Sequence, residues 1–276
     1  MARTETPTQR ARAYSRDGFV LERGLLARSE VESINQAFMR MHAAGGVPGR
    51  YEPPPLEQEY DDGVHYVFER GDPLARFPRV ITPHLFMAEI RTVALDPRLF
   101  DTVEEVFAEQ ALLSFTMFYF KPPGARGQAF HQDNYYLKVK PGTCCAVWIA
   151  CDRADAGNGG LSVIPGTHEL EIVCPEESER GSSFAKELVR PPEGFTSILP
   201  ELEPGDALVF HGNLIHGSQP NTSHDRFRRS LICHFVPWST AECHPADELF
   251  DRWGREVSRA HAEGGGPCGT PYEFAP

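Results

Sequence analysis

No stretch of this sequence is apolar for long enough to cross a bilayer, and the polar start MARTETPTQR lacks the hydrophobic centre of a secretory signal. Positive charge is scarce as well. Against 39 Asp and Glu stand 27 Lys and Arg, a formal net charge of -12. Such a surface repels polyanions on average, which excludes non-specific nucleic-acid binding and attachment to anionic membranes as the main activity. Cysteine signatures are missing too: the seven cysteines are an odd number and none sits in a CxxC pair. These absences point to a reducing, cytoplasmic setting and to a small molecule as partner, bound by a monomer or a homo-oligomer. Cys144 and Cys145 lie in an apolar stretch and read as small buried hydrophobes. The chain has no internal repeat.

What is present is an ordinary globular composition, with enough apolar residues for one large core, so the whole chain, 1–276, reads as a single domain. Residues 1–13 are polar and read as loose. Ser29 and Glu32 have the spacing of a capping box opening a helix with Val31, Ile34, Phe38 and Met41 on one face. The Pro- and Gly-rich stretch 46–65 reads as a loop. A second helix follows Asp96-Pro97, with Leu99, Phe100, Val103, Val106 and Phe107 as its apolar stripe. Beyond residue 112 the pattern changes. LLSFTMFYF, CCAVWIAC, GGLSVI, DALVF and RRSLICHFV are short β-prone runs separated by Pro, Gly, Asn and Asp. This predicts an all-β core over about 112–237, flanked by helices. Residues 170–200 read as a surface insertion or lid, weakly helical around SFAKELV, and a last helical stretch is expected over 246–262.

His131-Gln132-Asp133 places two metal-binding side chains at i and i+2, which on an extended segment leave the same face. Far downstream His216 sits just past an apolar strand, in DALVFHGNLIHGSQPN. The three together would form the 2-His-1-carboxylate triad that leaves adjacent coordination positions open for chemistry. An HxD alone is weak, and His211, His224 and His234 compete with His216 as satisfied core histidines. In Arg228-Arg229-Ser230 strand alternation points Arg228 and Ser230 to one face. A guanidinium beside a hydroxyl is a good carboxylate receptor, and Arg228 inside a β core would be costly unless it met an anion. Arg229 reads as a surface or ion-pair residue.

The runs FHQDNYYLKVKPGTCCAVWIACD, NGGLSVIPGTH, GDALVFHGNLIHGSQPNTS and DRFRRSLICHF, in this order over roughly 114–237, resemble the phytanoyl-CoA dioxygenase family of Fe(II)/2-oxoglutarate oxygenases. The resemblance implies a double-stranded β-helix, a distorted jelly roll of cupin type. It also implies iron held by His131, Asp133 and His216, 2-oxoglutarate with its distal carboxylate on Arg228, and O2 as co-substrate. Trp148, Arg79, Gln128 and Thr167 match positions that family members use for the cosubstrate, although Trp148 reads equally as a core aromatic. The glycines of Asn158-Gly159-Gly160 and of Pro165-Gly166-Thr167-His168 read as turn formers, and His168 is not expected to be a ligand. Halogenating relatives replace the carboxylate by a small residue. This chain keeps Asp133, which favours hydroxylation with release of succinate and CO2.

Residues after the metal motif, Asn134, Tyr135 and Tyr136, are candidates to line the substrate pocket, with Tyr135 preferred because alternation puts it on the face of Asp133. Two other classes use similar parts: a zinc hydrolase built on the same triad, and a non-catalytic barrel that binds a small carboxylate. Desaturation, epoxidation and cyclisation share the oxygenase site. The acidic chain disfavours a polyanionic substrate, which leaves a small metabolite as the preferred class.

Overall fold

The apolar runs between turn residues become antiparallel strands in a computed structural model, which describes residues 8–45, 79–178, 183, 185, 187–244, 248–262 and 268. In chain order the strands are β1 (Phe19–Glu22), β2 (Arg79–Ile81), β3 (Ala111–Tyr119), β4 (Gln128–His131), β5 (Cys145–Ala150), β6 (Leu161–Val163), β7 (Glu176–Glu177), β8 (Glu187–Leu188), β9 (Ala207–His211), β10 (His216–Ser218), β11 (Ser230–Pro237), β12 (Glu242–Cys243) and β13 (Ala260–His261). The helices are α1 (Gln9–Asp17), α2 (Arg28–Ala43), α3 (Ala88–Ala94), α4 (Pro97–Phe107) and α5 (Asp133–Leu137).

A six-stranded sheet runs in the order β1-β9-β5-β11-β3-β2, and a three-stranded sheet in the order β4-β10-β6. From β3 onward the core strands alternate between the two: β3, β5, β9 and β11 belong to the large sheet, β4, β6 and β10 to the small one. This makes the two faces of each large-sheet strand unequal. Along β11, Leu231, Cys233 and Phe235 join the cluster formed with α2 and α4. Ile232 instead joins Trp148, Phe210, Leu208 and Tyr119 on the other face. The helices therefore cover one side of the large sheet, while the other side is free to build a site.

Aromatic packing locks the helical layer. Phe38 of α2 stacks on Phe118 of β3 at 3.7 Å between ring centroids, and Phe120 meets Phe118 edge-on at 5.0 Å. Phe100 of α4 meets Phe235 of β11 edge-on at 5.1 Å. All are fully buried. Phe118→Ala is expected to cost about 3–5 kcal/mol of unfolding free energy, because it removes a large apolar side chain and leaves a cavity. Urea unfolding with an unchanged slope and a lowered midpoint checks this.

Several local expectations are corrected. Residues 9–13, expected to be loose, belong to α1, whose Thr8 cap accepts from the Ala11 N–H. Its only buried residue is Tyr14, so no apolar stripe announced it; Arg10 ties it to Glu22 and Glu105 instead. α2 begins at Arg28, where Glu30 rather than Glu32 accepts from the capping Ala27 N–H at 2.7 Å. Arg98 grips Glu30 from α4 and fixes that end. α4 starts as expected, with Asp96 accepting from Arg98 N–H. The SFAKELV stretch is extended where described: β8 pairs with β7, and Val189 N–H donates to Phe130 O at 2.7 Å. Over 246–262 the described residues contain no helix. Phe250 bridges Leu113, and β13 runs parallel to β12, so pairing with neighbours overrides local helix preference. The 46–65 loop lies outside the described residues.

Cys174 and Cys268 form a disulfide, with Cα atoms 5.4 Å apart, whereas the cysteine pattern pointed to a reducing setting without one. The other five cysteines are free and buried. Among the described residues no helix is long and apolar enough to cross a membrane.

Candidate metal centre

His131 closes β4 and His216 opens β10, and the two are direct partners across this antiparallel pair. Direct partners put their side chains on one face a few ångströms apart. Gln132 then continues the extended chain for one residue before Asp133 opens α5. The i, i+2 argument thus holds as far as Asp133, and fails beyond it because the chain turns helical. Gln132 points the opposite way and is fully buried. Its amide donates to Asn213 O and Glu171 O and accepts from Val173 N–H, which ties the metal motif to the turn before His216.

The Nε2 atoms of His131 and His216 each lie 3.5 Å from Asp133 Oδ1. Candidate ligand atoms of the three residues all fall within 4.8 Å of one another, and all three residues are buried. Both rings are oriented alike: His131 Nδ1 is 2.9 Å from Ala129 O, and His216 Nδ1 is 2.9 Å from Leu214 O. A carbonyl can only accept, so Nδ1 carries the proton and Nε2 turns its lone pair to the centre. Burial, then the neighbouring His216, lowers the pKa of His131 and keeps it neutral. Burial alone would raise the Asp133 pKa. The facing His216, then His234, outweigh it and hold the carboxyl well below its ordinary range. Two imidazoles that present Nε2 and one carboxylate are the donor set of a divalent metal.

A second charged group lies on the same interior face. Arg228 is buried and donates from Nη1 to Ser230 Oγ at 2.9 Å and from Nε to Gly159 O at 3.1 Å. Lys121, also buried, donates to the same Gly159 O at 3.0 Å, to Ser218 Oγ at 2.9 Å and to Gln219 O at 2.6 Å. Burial, then the charge of Arg228, pushes its ammonium well below the usual lysine range. Gly159 is required here: its φ is +71°, and a Cβ would lie 2.7 Å from Lys121 Nζ. Asn158 beside it donates to Phe227 O at 3.1 Å and so fixes the residue that leads into Arg228. Two buried basic side chains converging on one carbonyl, flanked by Ser230 and Ser218, form a cradle for an anion, whose charge would favour the protonated lysine.

The sequence pattern of the phytanoyl-CoA dioxygenase (PhyH) family matches residues 14–230. The chain belongs to the phytanoyl-CoA dioxygenase family. It is thereby an oxidoreductase of the iron- and 2-oxoglutarate-dependent class. A probable phytanoyl-CoA dioxygenase of Caenorhabditis elegans is 26% identical over 255 residues, covering 83% of this chain and 74% of that protein. Among solved structures, the epimerase SnoN in complex with Fe3+, alpha ketoglutarate and nogalamycin RO superposes with a TM-score of 0.61 at 21% identity, covering 84% of each chain. EctD from S. alaskensis, in its apoform, superposes with a TM-score of 0.63 at 18% identity, covering 86% of this chain and 79% of that one.

In this phytanoyl-CoA dioxygenase family member the other sequence candidates divide into two groups. Trp148, opposite Ile232 on β11, faces the interior with the Arg228 guanidinium 5.3 Å from its ring centroid. Arg79 is the cross-strand partner of Tyr119, itself the partner of Ser230, so all three stand in one row on the inner face. Gln128 reaches the centre: its Nε2 is 3.1 Å from His131 Nε2, and its Oε1 accepts from Tyr119 Oη at 3.5 Å. Tyr136, not Tyr135, sits beside the triad, with ring centroids 6.1 Å from His131, because α5 breaks the strand alternation that favoured Tyr135. Tyr135 packs edge-on against Tyr136 at 5.0 Å.

The second group is turned away. Asn134 folds back to accept from Val139 N–H at 3.0 Å. Thr167 spends its hydroxyl on the backbone, donating to Ile164 O and accepting from Ile215 N–H, next to His216. His168, as expected, is outside the triad; its Nε2 lies 3.1 Å from Ser15 O. Arg229 is paired with Asp152, in line with its reading as a surface or ion-pair residue. Sequence reading missed Lys121 and Ser218, whose partners lie far off in the chain. It weighed His234 only as a rival core histidine, yet its Nε2 is 3.0 Å from Asp133 Oδ2, and its position on the Arg228–Ser230 face was the available signal.

Proposed function

We propose that the protein oxidises a small-molecule metabolite with O2, binding Fe(II) through His131, Asp133 and His216 and 2-oxoglutarate with its distal carboxylate in the Arg228 cradle. The observation that carries this reading is the pairing, on one interior face, of a two-histidine and one-carboxylate cluster with the buried basic side chains of Arg228 and Lys121. The residues fit the metal: the tautomer of both histidines is set by a backbone carbonyl two residues earlier, and all candidate ligand atoms converge. When bound, the iron and 2-oxoglutarate supply the oxidising power, with succinate and CO2 as co-products. The chain's own residues do the rest. Arg228, Lys121, Ser230 and Ser218 hold the anion by charge-assisted hydrogen bonds, and Trp148 and Ile232 keep water from it. Gln128 and Tyr136 border the triad and are proposed to meet the substrate, with Glu187 accepting from the Tyr136 hydroxyl at 3.3 Å.

The strict alternation of core strands between a six-stranded and a three-stranded antiparallel sheet supports a double-stranded β-helix formed by one domain. Hydroxylation is the preferred outcome, since Asp133 is retained. SnoN is described as an epimerase, which supports keeping coupled outcomes such as desaturation or cyclisation as the second reading. The cradle of two basic side chains disfavours zinc-dependent hydrolysis, which has no use for it. The test is to add Fe(II) and 2-oxoglutarate without oxygen, record the visible charge-transfer band of a chelated 2-oxo acid, and then screen metabolites in air for stimulated succinate release with product mass. A colourless complex and no succinate above background would leave only a carboxylate-binding barrel.

A further inference from the structure

Asp133 has two oxygens with different surroundings. Oδ1 faces the Nε2 atoms of His131 and His216 at 3.5 Å each, while Oδ2 lies 3.0 Å from His234 Nε2. His234 stands on β11 in the row of Ser230 and Ile232, facing the interior, and is buried. An ionised carboxylate can only accept, so His234 Nε2 carries the proton and donates to Oδ2. The other ring nitrogen, Nδ1, is buried without a hydrogen-bond partner among the described residues. The ring is steadied by Phe115, 6.1 Å between centroids. An imidazole buried with one nitrogen unsatisfied is costly, and the bond to Asp133 is the interaction on which this side chain is spent.

This matters because a carboxylate can bind a metal through one oxygen or through two. A two-oxygen mode would fill one of the three neighbouring positions that a facial triad leaves open, and a chelating 2-oxo acid together with O2 needs all three. We propose that His234 is a positioning residue that, by holding Oδ2, makes Asp133 a one-oxygen ligand and keeps the third open position available. The inference rests on the reading of the triad as an iron site. It assigns a task to a fourth histidine that is outside the ligand set, and it explains why a polar side chain occupies the core face of β11 at this height.

The test compares wild type with His234→Leu and His234→Gln. Gln can carry an N–H to about the place of Nε2, while Leu fills the space without a donor. Each metal-free protein is titrated anaerobically with Fe(II) and, separately, with Co(II), whose ligand-field absorption reports coordination number; each loaded protein is then titrated with 2-oxoglutarate. His234→Leu is expected to lose about 10–100-fold in Fe(II) affinity, the range for removing a hydrogen-bond partner of a metal ligand. Its Co(II) spectrum is expected to change and its 2-oxoglutarate affinity to fall with it, and His234→Gln is expected to recover most of each. A merely structural role would change unfolding midpoints but neither the Co(II) spectrum nor the Gln rescue. Wild-type affinities and spectrum in a folded Leu variant would overturn the inference alone. If the Leu variant does not fold, His234→Asn replaces it, since Asn is polar but too short to reach Oδ2; Asn behaving like Gln would overturn the inference. A wild type that takes up neither ion would overturn the iron-site reading, and this inference with it.

Discussion

Asp133→Ala is expected to abolish substrate-dependent succinate release while leaving the fold intact. The carboxylate is the only anionic member of the triad, and it faces both histidines through Oδ1 and a third through Oδ2. Metal-ion catalysis is worth several kcal/mol of transition-state stabilisation. At about 1.4 kcal/mol per tenfold in rate, losing about 4 kcal/mol lowers turnover by about a thousandfold or more. The variant removes no large apolar group, so circular dichroism is expected to stay native, while the unfolding midpoint drops modestly because the buried His234 loses its partner. The same experiment separates metal from scaffold: isothermal titration with Fe(II) should show binding in wild type and none at matched concentrations in the variant. A pH series adds a sign. His131 must be neutral to bind metal, and its folded-state pKa is lowered by burial and then by His216. Iron affinity should therefore hold at neutral pH and fall as pH drops through the folded pKa of His131, where protons compete for the ligand. A variant that binds iron as wild type does and still releases succinate would refute the assignment of Asp133.

Why the metal motif was legible and its supports were not follows from the range of the interactions. His131 and Asp133 are two residues apart, so alternation along one extended segment is enough to aim both at one point. Four of the six large-sheet strands, β3, β5, β9 and β11, were visible because apolar runs bounded by turn residues need no partner to be recognised, whereas the short β1 and β2 lie outside the expected core and were not. His216 is different: its place opposite His131 is set by pairing of β10 with β4, a contact between distant segments, and on residues alone it had rivals in His211, His224 and His234. Local pattern failed where a distant partner decided the structure. α1 buries one residue and leans on Glu22 and Glu105; the helical signal of SFAKELV gives way to pairing with β7; and the strand parity that favoured Tyr135 ends where α5 begins. Lys121 was invisible for the same reason. Nothing in the run YFKPPG marks a lysine whose three acceptors, Gly159 O, Ser218 Oγ and Gln219 O, come from two other parts of the chain. Parity did work for Arg228, because Ser230 lies on the same strand and two residues are enough to define a face.

Arg228→Met is expected to lose 2-oxoglutarate binding while keeping iron. The guanidinium is held by Ser230 and by Gly159 O with Trp148 beneath it, so its fork is fixed before any ligand arrives. Truncating one partner of a buried, hydrogen-bonded charge pair costs about 2–5 kcal/mol, which is about 30-fold to several thousandfold in affinity. Arg228→Lys is not expected to restore it, since a lysine supplies a point charge but not two parallel donors. Thermal shift reads the loss directly. At a ligand concentration one hundred times Kd, 2-oxoglutarate stabilises the folded protein by about 2.7 kcal/mol; a hundredfold loss of affinity leaves about 0.4 kcal/mol at the same concentration. Without ligand the Met variant should be no less stable than wild type. Lys121 is pushed down by burial first and by the charge of Arg228 second, so removing that charge relieves part of the strain on the ammonium. An intact 2-oxoglutarate shift in Arg228→Met would move the anion site elsewhere, whereas a large drop in ligand-free stability would mean that Arg228 holds the sheet together and does not serve a ligand. Stability kept and ligand lost is the signature of a group placed for function.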